Sequence, residues 1–304
     1  MKTQTRRAYT LTISALALTG LFLVAPHVAQ AAGRNYVAVN HWIAAPPKPQ
    51  EIAAIAADAK GNIYALQREP GKVAIYDAKG QFVRSWGEGA FPNGHAIRID
   101  QHNNVWITDR DLHQVFKYTL DGKLLLTLGT KGVVGDNNST TSFNRPSDVA
   151  VDRNGDILVS DGESTNSRVV KFSKDGKYLK AWGTKGDGPG QLNVPHSLAM
   201  DSKGNVYVAS RSNQRIEIFT RDGGYVGQIT NIGAPGALYI TPDDVIYISD
   251  GTAGHEGVTL INARNRQVLG RVDGLNHVHL ISGDRRGAIY AAELENGVTK
   301  FVRK

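Results

Sequence analysis

The chain has 304 residues, and 41% of them are hydrophobic. It has a formal net charge of +7 and contains no cysteine. A chain of this length can bury a large apolar core in one domain, and the absence of cysteine excludes disulfides and thiolate chemistry. The positive charge is too mild and too dispersed to predict a nucleic-acid partner.

The N-terminus has the pattern of an export signal. Lys2, Arg6 and Arg7 precede an apolar stretch at residues 11–24, and Ala-Gln-Ala at 29–31 offers a small-residue cleavage site. The stretch is too short and interrupted to span a membrane, so a periplasmic or secreted protein without a membrane span is expected. TRRAYTL also resembles a twin-arginine signal, and a general secretory signal is the alternative. Residues 32–304 then form the mature protein, with a formal net charge of +4.

One pattern recurs six times along the mature chain. It consists of an alternating apolar strand, an Asp, a turn with polar residues or glycine, and a second apolar strand. The copies, 40 to 52 residues apart, are IAADAKGNIYAL, IRIDQHNNVWIT, VAVDRNGDILVS, LAMDSKGNVYVA, LYITPDDVIYIS and ISGDRRGAIYAA. A third and a fourth strand follow most copies. Four short strands per repeat predict an all-β fold, a six-bladed β-propeller with four antiparallel strands per blade.

The sixth copy reaches the C-terminus after its third strand, at VTKFVRK. The apolar, alternating stretch YVAVNHWI at residues 36–43 belongs to no copy. It is therefore predicted to supply the missing outer strand and to close the ring. A monomeric domain spanning residues 32–304 is expected.

Histidines recur at one position of the repeat. Five residues before the Asp slot, copies two, four and six have His95, His196 and His279. The intervening copies have small residues there, namely Ala53, Ser147 and Gly236. The first strand of each blade lines the channel, so the three imidazoles should converge in the arrangement of a catalytic zinc site; iron, copper and nickel also suit imidazole. Any one histidine could merely cap a strand, but the mature chain has only eight.

Arginines recur ten residues after the Asp slot, at the end of the second strand. They are Arg68, Arg110 and Arg211 in copies one, two and four. Guanidinium groups near a channel metal favour a substrate that carries a carboxylate. Structural ion pairs are the alternative, with these carboxylates as plausible partners: Asp109, Asp161 and Asp250.

Residues 111–123 (DLHQVFKYTLDGK) and 143–201 (FNRPSDVAVDRNGDILVSDGESTNSRVVKFSKDGKYLKAWGTKGDGPGQLNVPHSLAMD) resemble the lyase domain of peptidylglycine α-amidating enzymes. The similarity extends over essentially the whole mature chain. It implies a propeller of NHL-type repeats and a peptidyl-α-hydroxyglycine lyase, which cleaves the N–Cα bond of a carbinolamide to give an amide and glyoxylate. It further implies Arg68 as a catalytic arginine and a zinc ion held by three ligands, His95, His196 and His279.

Two positions depart from that family. Glu163, in DGESTNSR, stands where the family has its catalytic tyrosine. Glu163 is then the candidate base, with a hydroxide on the metal as the alternative; Glu163 could instead be a solvated loop acid. Leu280 replaces an aspartate that the family associates with a structural calcium, so the resemblance does not carry that calcium over to this chain.

Two other functions remain open at the level of sequence. The first is a non-catalytic exported NHL propeller that binds a peptide or protein at the mouth of the channel, which the missing tyrosine favours. The second is a lactonase on the same architecture, although such sites use carboxylates and asparagine around calcium rather than three histidines. The leading hypothesis is a metal-dependent lyase whose substrate is a peptide or small molecule with a terminal carboxylate.

Overall fold

The structure, a computed structural model, describes residues 28–31, 34–43, 51–253, 256–273, 275 and 277–303. Most of the predicted export signal, residues 1–27, lies outside this range. The strands in chain order are β1 (Val28–Ala31), β2 (Arg34–Ile43), β3 (Glu51–Ala57), β4 (Ile63–Arg68), β5 (Lys72–Tyr76), β6 (Phe82–Trp86), β7 (Gly94–Ile99), β8 (Asn104–Asp109), β9 (Gln114–Thr119), β10 (Leu124–Leu128), β11 (Pro146–Val151), β12 (Ile157–Asp161), β13 (Arg168–Phe172), β14 (Tyr178–Trp182), β15 (Pro195–Met200), β16 (Val206–Ser210), β17 (Arg215–Phe219), β18 (Tyr225–Ile229), β19 (Pro235–Ile240), β20 (Val245–Asp250), β21 (Gly257–Asn262), β22 (Val268–Asp273), β23 (Val278–Gly283), β24 (Ile289–Glu293) and β25 (Gly297–Arg303). A short 3-10 turn, Arg211–Asn213, follows β16.

The strands form six antiparallel sheets, which confirms the predicted six-bladed propeller. Blades one to five contain β3–β6, β7–β10, β11–β14, β15–β18 and β19–β22, and each runs outward from the channel in chain order. The alternating apolar residues of the inner three strands bury both faces of each sheet between its neighbours. The fourth strands are more exposed because they lie at the circumference.

The sixth blade closes the ring by pairing the two ends of the chain. Its order from the channel outward is β23, β24, β25, β2 and β1, and Val37 of β2 lies opposite Val302 of β25. Tyr36 and Ile43 of β2 are buried, with 2% and 3% exposure. The closure predicted from residues 36–43 is thus confirmed, and β1 is a fifth strand that the other blades lack.

The repeated Asp stabilises the turn between the first two strands of its blade. In blade one, the Asp58 carboxylate accepts the backbone N–H groups of Lys60 and Asn62 at 2.9 and 2.8 Å. Where blade five has Thr241 instead, its Oγ1 accepts the N–H of Val245 at 3.0 Å. These are side-chain-to-backbone turns, so the repeat Asp has a structural role. None of the helical segments in the described residues has the length and apolar character that crossing a membrane requires.

Candidate active site

The innermost strand of every blade carries an irregularity where the histidines recur. In β7 the register shifts between Gly94 and Ala96, which leaves His95 out of the ladder. The equivalent shifts in β15 and β23 fall at the other two histidines. In blades one, three and five the shifts fall at the small residues of the same position. A bulge frees the backbone groups of the extra residue from strand pairing, and these groups become available at the channel.

The three histidines meet in the channel. The ring centroid of His95 lies 4.7 Å from that of His196 and 4.6 Å from that of His279, and the last two are 5.2 Å apart. One ring nitrogen from each lies within 4.8 Å of the other two. His95 and His196 are buried, and His279 is partly buried. The structure therefore brings together the three residues that the repeat position selected.

Each imidazole is oriented by a backbone carbonyl of the next blade around the ring. Nδ1 of His95 donates to the carbonyl of Ser147 at 2.6 Å. The same bond joins His196 to Gly236 and His279 to Ala53, each at 2.7 Å. Because a carbonyl oxygen can only accept, Nδ1 carries the proton and Nε2 of the neutral ring keeps its lone pair. The acceptors are the bulged small residues of blades one, three and five.

The surroundings keep all three imidazoles neutral. Burial, followed by the charge of Arg211, lowers the pKa of His196 to about 3. Burial and the neighbouring histidines lower the pKa of His95 well below its usual range, and burial, His196 and Arg68 do the same for His279. Neutral imidazoles are the form that binds metal ions.

A metal ion fits this donor set. Nε2 of His95 is buried without a hydrogen-bond partner, which is costly unless a ligand satisfies it. Three imidazole nitrogens, each held through the other nitrogen by a carbonyl, match the ligands and the outer-shell bonds of protein zinc sites. The triad could therefore bind a metal, and imidazole alone does not select zinc over iron, copper or nickel.

Glu163 lies beside the triad and between two of the predicted arginines. Its carboxylate is 3.6 Å from Nε2 of His196, 3.5 Å from Arg110 and 3.4 Å from Arg211. The Glu163 side chain is only 6% exposed, which excludes a solvated loop acid. The loop between β12 and β13 places it there, and its backbone N–H donates to the carbonyl of Arg145 at 3.1 Å.

Arg68 approaches the same site from blade one. Its guanidinium donates to Glu51 at 3.1 Å and to the carbonyl of Gly94, next to His95, at 3.3 Å. Burial and the positive charge of Arg110 lower its pKa, and Glu51 opposes that effect. The structure thus gathers every residue that the sequence singled out for the site.

Unpartnered polar atoms are concentrated at this point of the molecule. Among the described residues, eight buried side-chain nitrogen or oxygen atoms have no hydrogen-bond partner. Half of them belong to the site: Nη2 of Arg68, Nε2 of His95, Nε of Arg110 and Oε1 of Glu163. Buried polar atoms are normally satisfied, so a group of donors and acceptors left open together indicates a ligand site.

The expected aspartate partners of the arginines have another role. Asp109 accepts the backbone N–H groups of Asn93, Asp111 and Leu112, and Asp161 pairs with the buried Arg168. Asp250 likewise accepts backbone N–H groups of its own blade. The three arginines do form ion pairs, but with Glu51 and Glu163 rather than with these aspartates, whose carboxylates turn toward the loops that enter their blades.

Sequence reasoning missed Glu51, Arg98 and Asp148. Glu51 begins the channel strand of blade one and pairs with Arg68. Arg98, whose side chain is 17% exposed, and the fully buried Asp148 form an ion pair in the channel. The sequence does hold a signal for Arg98 and Asp148, because each is the one charged residue at its repeat position. The positions equivalent to Arg98 are Ala56, Ala150, Ala199, Tyr239 and Ser282. The positions equivalent to Asp148 are Ala54, Ala96, Ser197, Ala237 and Leu280.

Fold and site together define a six-bladed propeller with a candidate metal centre in its channel. The family model for the NHL repeat matches residues 143–172 and 192–219. NHL repeat-containing protein 3 of Homo sapiens is 32% identical over 265 residues, which cover 80% of this chain and 76% of that protein. The chain therefore belongs to the NHL-repeat family that includes this protein.

Amidating enzymes are also related to the chain. Peptidyl-glycine alpha-amidating monooxygenase B of Xenopus laevis is 33% identical over 240 residues, which cover 72% of this chain and 27% of that protein. Peptidyl-alpha-hydroxyglycine alpha-amidating lyase 1 of Drosophila melanogaster is 30% identical over 227 residues, 62% of this chain and 41% of that protein. The chain thus spans less than half the length of either enzyme.

A solved structure supports the fold independently. The gluconolactonase XC5397 from Xanthomonas campestris superposes with a TM-score of 0.70 at 16% identity, over 92% of this chain and 95% of that one. At this identity the likeness concerns the propeller architecture alone.

Proposed function

We propose that the protein is a metal-dependent lyase that cleaves the N–Cα bond of an acyl- or peptidyl-α-hydroxyglycine to an amide and glyoxylate. The observation that carries the proposal is the set of open donors and acceptors around the histidine triad. The kinship to a peptidyl-alpha-hydroxyglycine alpha-amidating lyase supports this choice among metal-dependent reactions.

The arginines suit the carboxylate of such a substrate. Arg68 and Arg110 each keep a buried guanidinium nitrogen without a hydrogen-bond partner, and the positive charge of Arg110 contributes to the lowered pKa of Arg68. Two guanidinium groups can bind a carboxylate through charge-assisted hydrogen bonds. Arg211 is 41% exposed, so it would contact the substrate nearer the mouth of the channel.

Glu163 would move the proton, since its carboxylate lies beside the triad, 3.6 Å from Nε2 of His196. In the reaction the hydroxyl on Cα loses its proton, the C=O of glyoxylate forms, and the N–Cα bond breaks with its electron pair on nitrogen. Glu163 would take the hydroxyl proton and return it to the amide nitrogen, so atoms and charges balance. A metal held by the triad, for which we propose zinc, would supply Lewis acidity that makes the hydroxyl more acidic. Arg110 and Arg211 hold the carboxylate of Glu163 in place.

The test is glyoxylate release from an α-hydroxyhippurate-type substrate by metal-loaded protein. We expect Glu163→Gln to retain the metal and to lower kcat by about 100-fold or more, as for loss of a general base. Glu88→Gln, at a carboxylate 61% exposed beside Lys72, is the matched control and should leave kcat unchanged. Metal-loaded wild-type protein that releases no glyoxylate would disprove the lyase.

A second candidate function is a non-catalytic propeller that binds a peptide at the same mouth. Glu163 favours it, because this residue replaces the tyrosine of the related enzymes and already balances the charge of Arg110 and Arg211. If so, binding of a peptide carboxylate should be unaffected by His196→Ala. A lyase substrate should instead bind more weakly to this variant.

We also propose that the chain is exported and that residues 1–31 are removed. Two observations support this proposal: the N-terminus has the charged and apolar pattern of an export signal, and the last residues of that signal form the extra strand β1. Cleavage after residue 31 would remove β1 and leave blade six with four strands, as in the other blades. N-terminal sequencing of the exported protein tests the cleavage position.

A further inference from the structure

A partly buried arginine lies in the channel on one of the histidine-bearing strands. Arg98 lies three residues after His95 on the same strand, β7, and its side chain is 17% exposed. It forms two hydrogen bonds with the carboxylate of Asp148, Nε to Oδ1 at 2.9 Å and Nη2 to Oδ2 at 2.6 Å. Asp148 is fully buried, so the pair places one positive and one negative charge inside the ring.

The guanidinium joins five of the six blades. Besides Asp148 of blade three, it donates to the carbonyl of Ile281 in blade six at 2.9 Å. Longer bonds reach the hydroxyl of Ser197 in blade four, at 3.3 Å, and the carbonyl of Leu238 in blade five, at 3.4 Å. One side chain from blade two therefore contacts the channel strands of the next four blades.

The acceptors of Arg98 are chain neighbours of the triad. Asp148 adjoins Ser147, whose carbonyl orients His95. Ser197 adjoins His196 and donates to the Asp148 carboxylate at 2.7 Å. Ile281 follows His279 by two residues. The distance from Arg98 to each acceptor thus helps to set how far apart the three histidine-bearing strands lie.

Carbonyl oxygens and a carboxylate gathered around one positive charge are the ligand types of a hard cation site such as calcium. Here the positive charge is the guanidinium, whose planar donors meet several acceptors at fixed angles. A calcium ion does not fit here, since the Asp148 carboxylate is already paired with Arg98 and Leu280, next to His279, offers no carboxylate.

We propose that Arg98 acts as an internal cation that replaces a second metal ion in the channel and positions the histidine triad. The protein then needs one metal, at the histidines, and no calcium. The inference does not depend on the proposed lyase activity, because it concerns metal content, stability and affinity for zinc.

Wild-type protein provides the first test. We expect one equivalent of transition metal and no calcium by elemental analysis. The Tm of the zinc-loaded protein should be the same with millimolar calcium and without it. Tightly bound calcium in the purified protein, or a Tm of the zinc-loaded protein that rises when calcium is added, would overturn the proposal.

The Arg98→Ala variant provides the second test. It leaves the carbonyls and the Asp148 carboxylate without a cation, so Tm should fall by on the order of 10 °C without calcium. Millimolar calcium should restore part of the loss, and an open cavity of about 290 Å³ that Arg98 lines gives an ion access. The affinity for zinc should fall by about tenfold or more, as when groups that support metal ligands are removed.

The double variant Arg98→Met/Asp148→Leu separates positioning from simple loss of charge. It removes both charges, so it should fold even if Arg98→Ala does not, and its Tm should not respond to calcium. Its affinity for zinc should still be reduced, because the bonds that space the strands are gone. An affinity equal to that of wild type would contradict the positioning role of Arg98.

Discussion

At the scale of single residues, the site consists of groups whose form is fixed by burial. The imidazoles are neutral because they are buried among one another and near arginines, and each Nδ1 is held by a carbonyl. Neutral rings with a fixed donor leave Nε2 as the only free ligand atom. The same burial makes any one of them expensive to protonate or to remove.

Removal of one histidine should abolish tight metal binding. We expect His196→Ala to weaken zinc affinity by roughly 100-fold or more, since the binding free energy of a structural zinc is about 10–16 kcal/mol shared among its ligands. Titration against a chromophoric chelator measures the affinity. His102→Ala, at an exposed turn residue, is the control and should bind zinc as wild type does. Equal affinities for the two variants would exclude the triad as the metal site.

Acid should destabilise the metal-free protein through the same residues. The pKa of His196 is about 3 in the folded state and about 6.5 when unfolded, so protonation favours unfolding. The contribution of neutral His196 to the free energy of unfolding is fully present above pH 6.5. It decreases as the pH falls, by about 2 kcal/mol at pH 5 for His196 alone. Urea unfolding between pH 7 and 5 measures the slope. His196→Asn should show a shallower slope; an identical slope would contradict the effect.

At the scale of single elements, the innermost strands have two tasks. They line the channel, and their bulges free the carbonyls of Ala53, Ser147 and Gly236 to orient histidines of neighbouring blades. Strand β2 lies at the circumference, far from the channel, and its role is purely structural. It covers the edge of β25 that would otherwise be unpaired. Unpaired strand edges invite aggregation, so this coverage matters to the whole ring.

The two N-terminal strands should differ sharply in their contribution. A chain that begins at residue 32 lacks only β1 and should melt within about 2 °C of the full chain, because blade six keeps four strands. A chain that begins at residue 44 also loses the buried Tyr36 and Ile43, each worth about 1.5–3 kcal/mol. Circular dichroism melts and size-exclusion chromatography compare them. Equal stability of the two would show that β2 does not close the ring.

At the scale of the whole molecule, the site ties alternate blades together. The histidines come from blades two, four and six, their carbonyl partners from three, five and one, and Arg98 joins blades two to six. A ring of sheets that contact only their neighbours is thereby held at its centre as well. Occupancy of the metal site should therefore stabilise the entire propeller.

Metal should raise the melting temperature of the whole domain. Zinc at about 100 times its Kd adds about 2.7 kcal/mol, which corresponds to a rise in Tm of roughly 5–10 °C for a domain of this size. Differential scanning calorimetry of stripped and reloaded protein measures it. His95→Gln should show no rise. A rise of equal size in that variant would place the stabilising ion elsewhere.

The sequence alone determined the propeller and the triad, because residues at one repeat position are related by the rotation of the ring. Counting from the Asp slot therefore predicted that His95, His196 and His279 converge. Only the tertiary structure decided which carboxylates pair with Arg68 and Arg110, and that Arg98 and Asp148 occupy the channel. Such contacts join different repeat positions on different blades. They depend on side-chain length, strand bulges and the direction of each loop, which spacing along the chain does not specify.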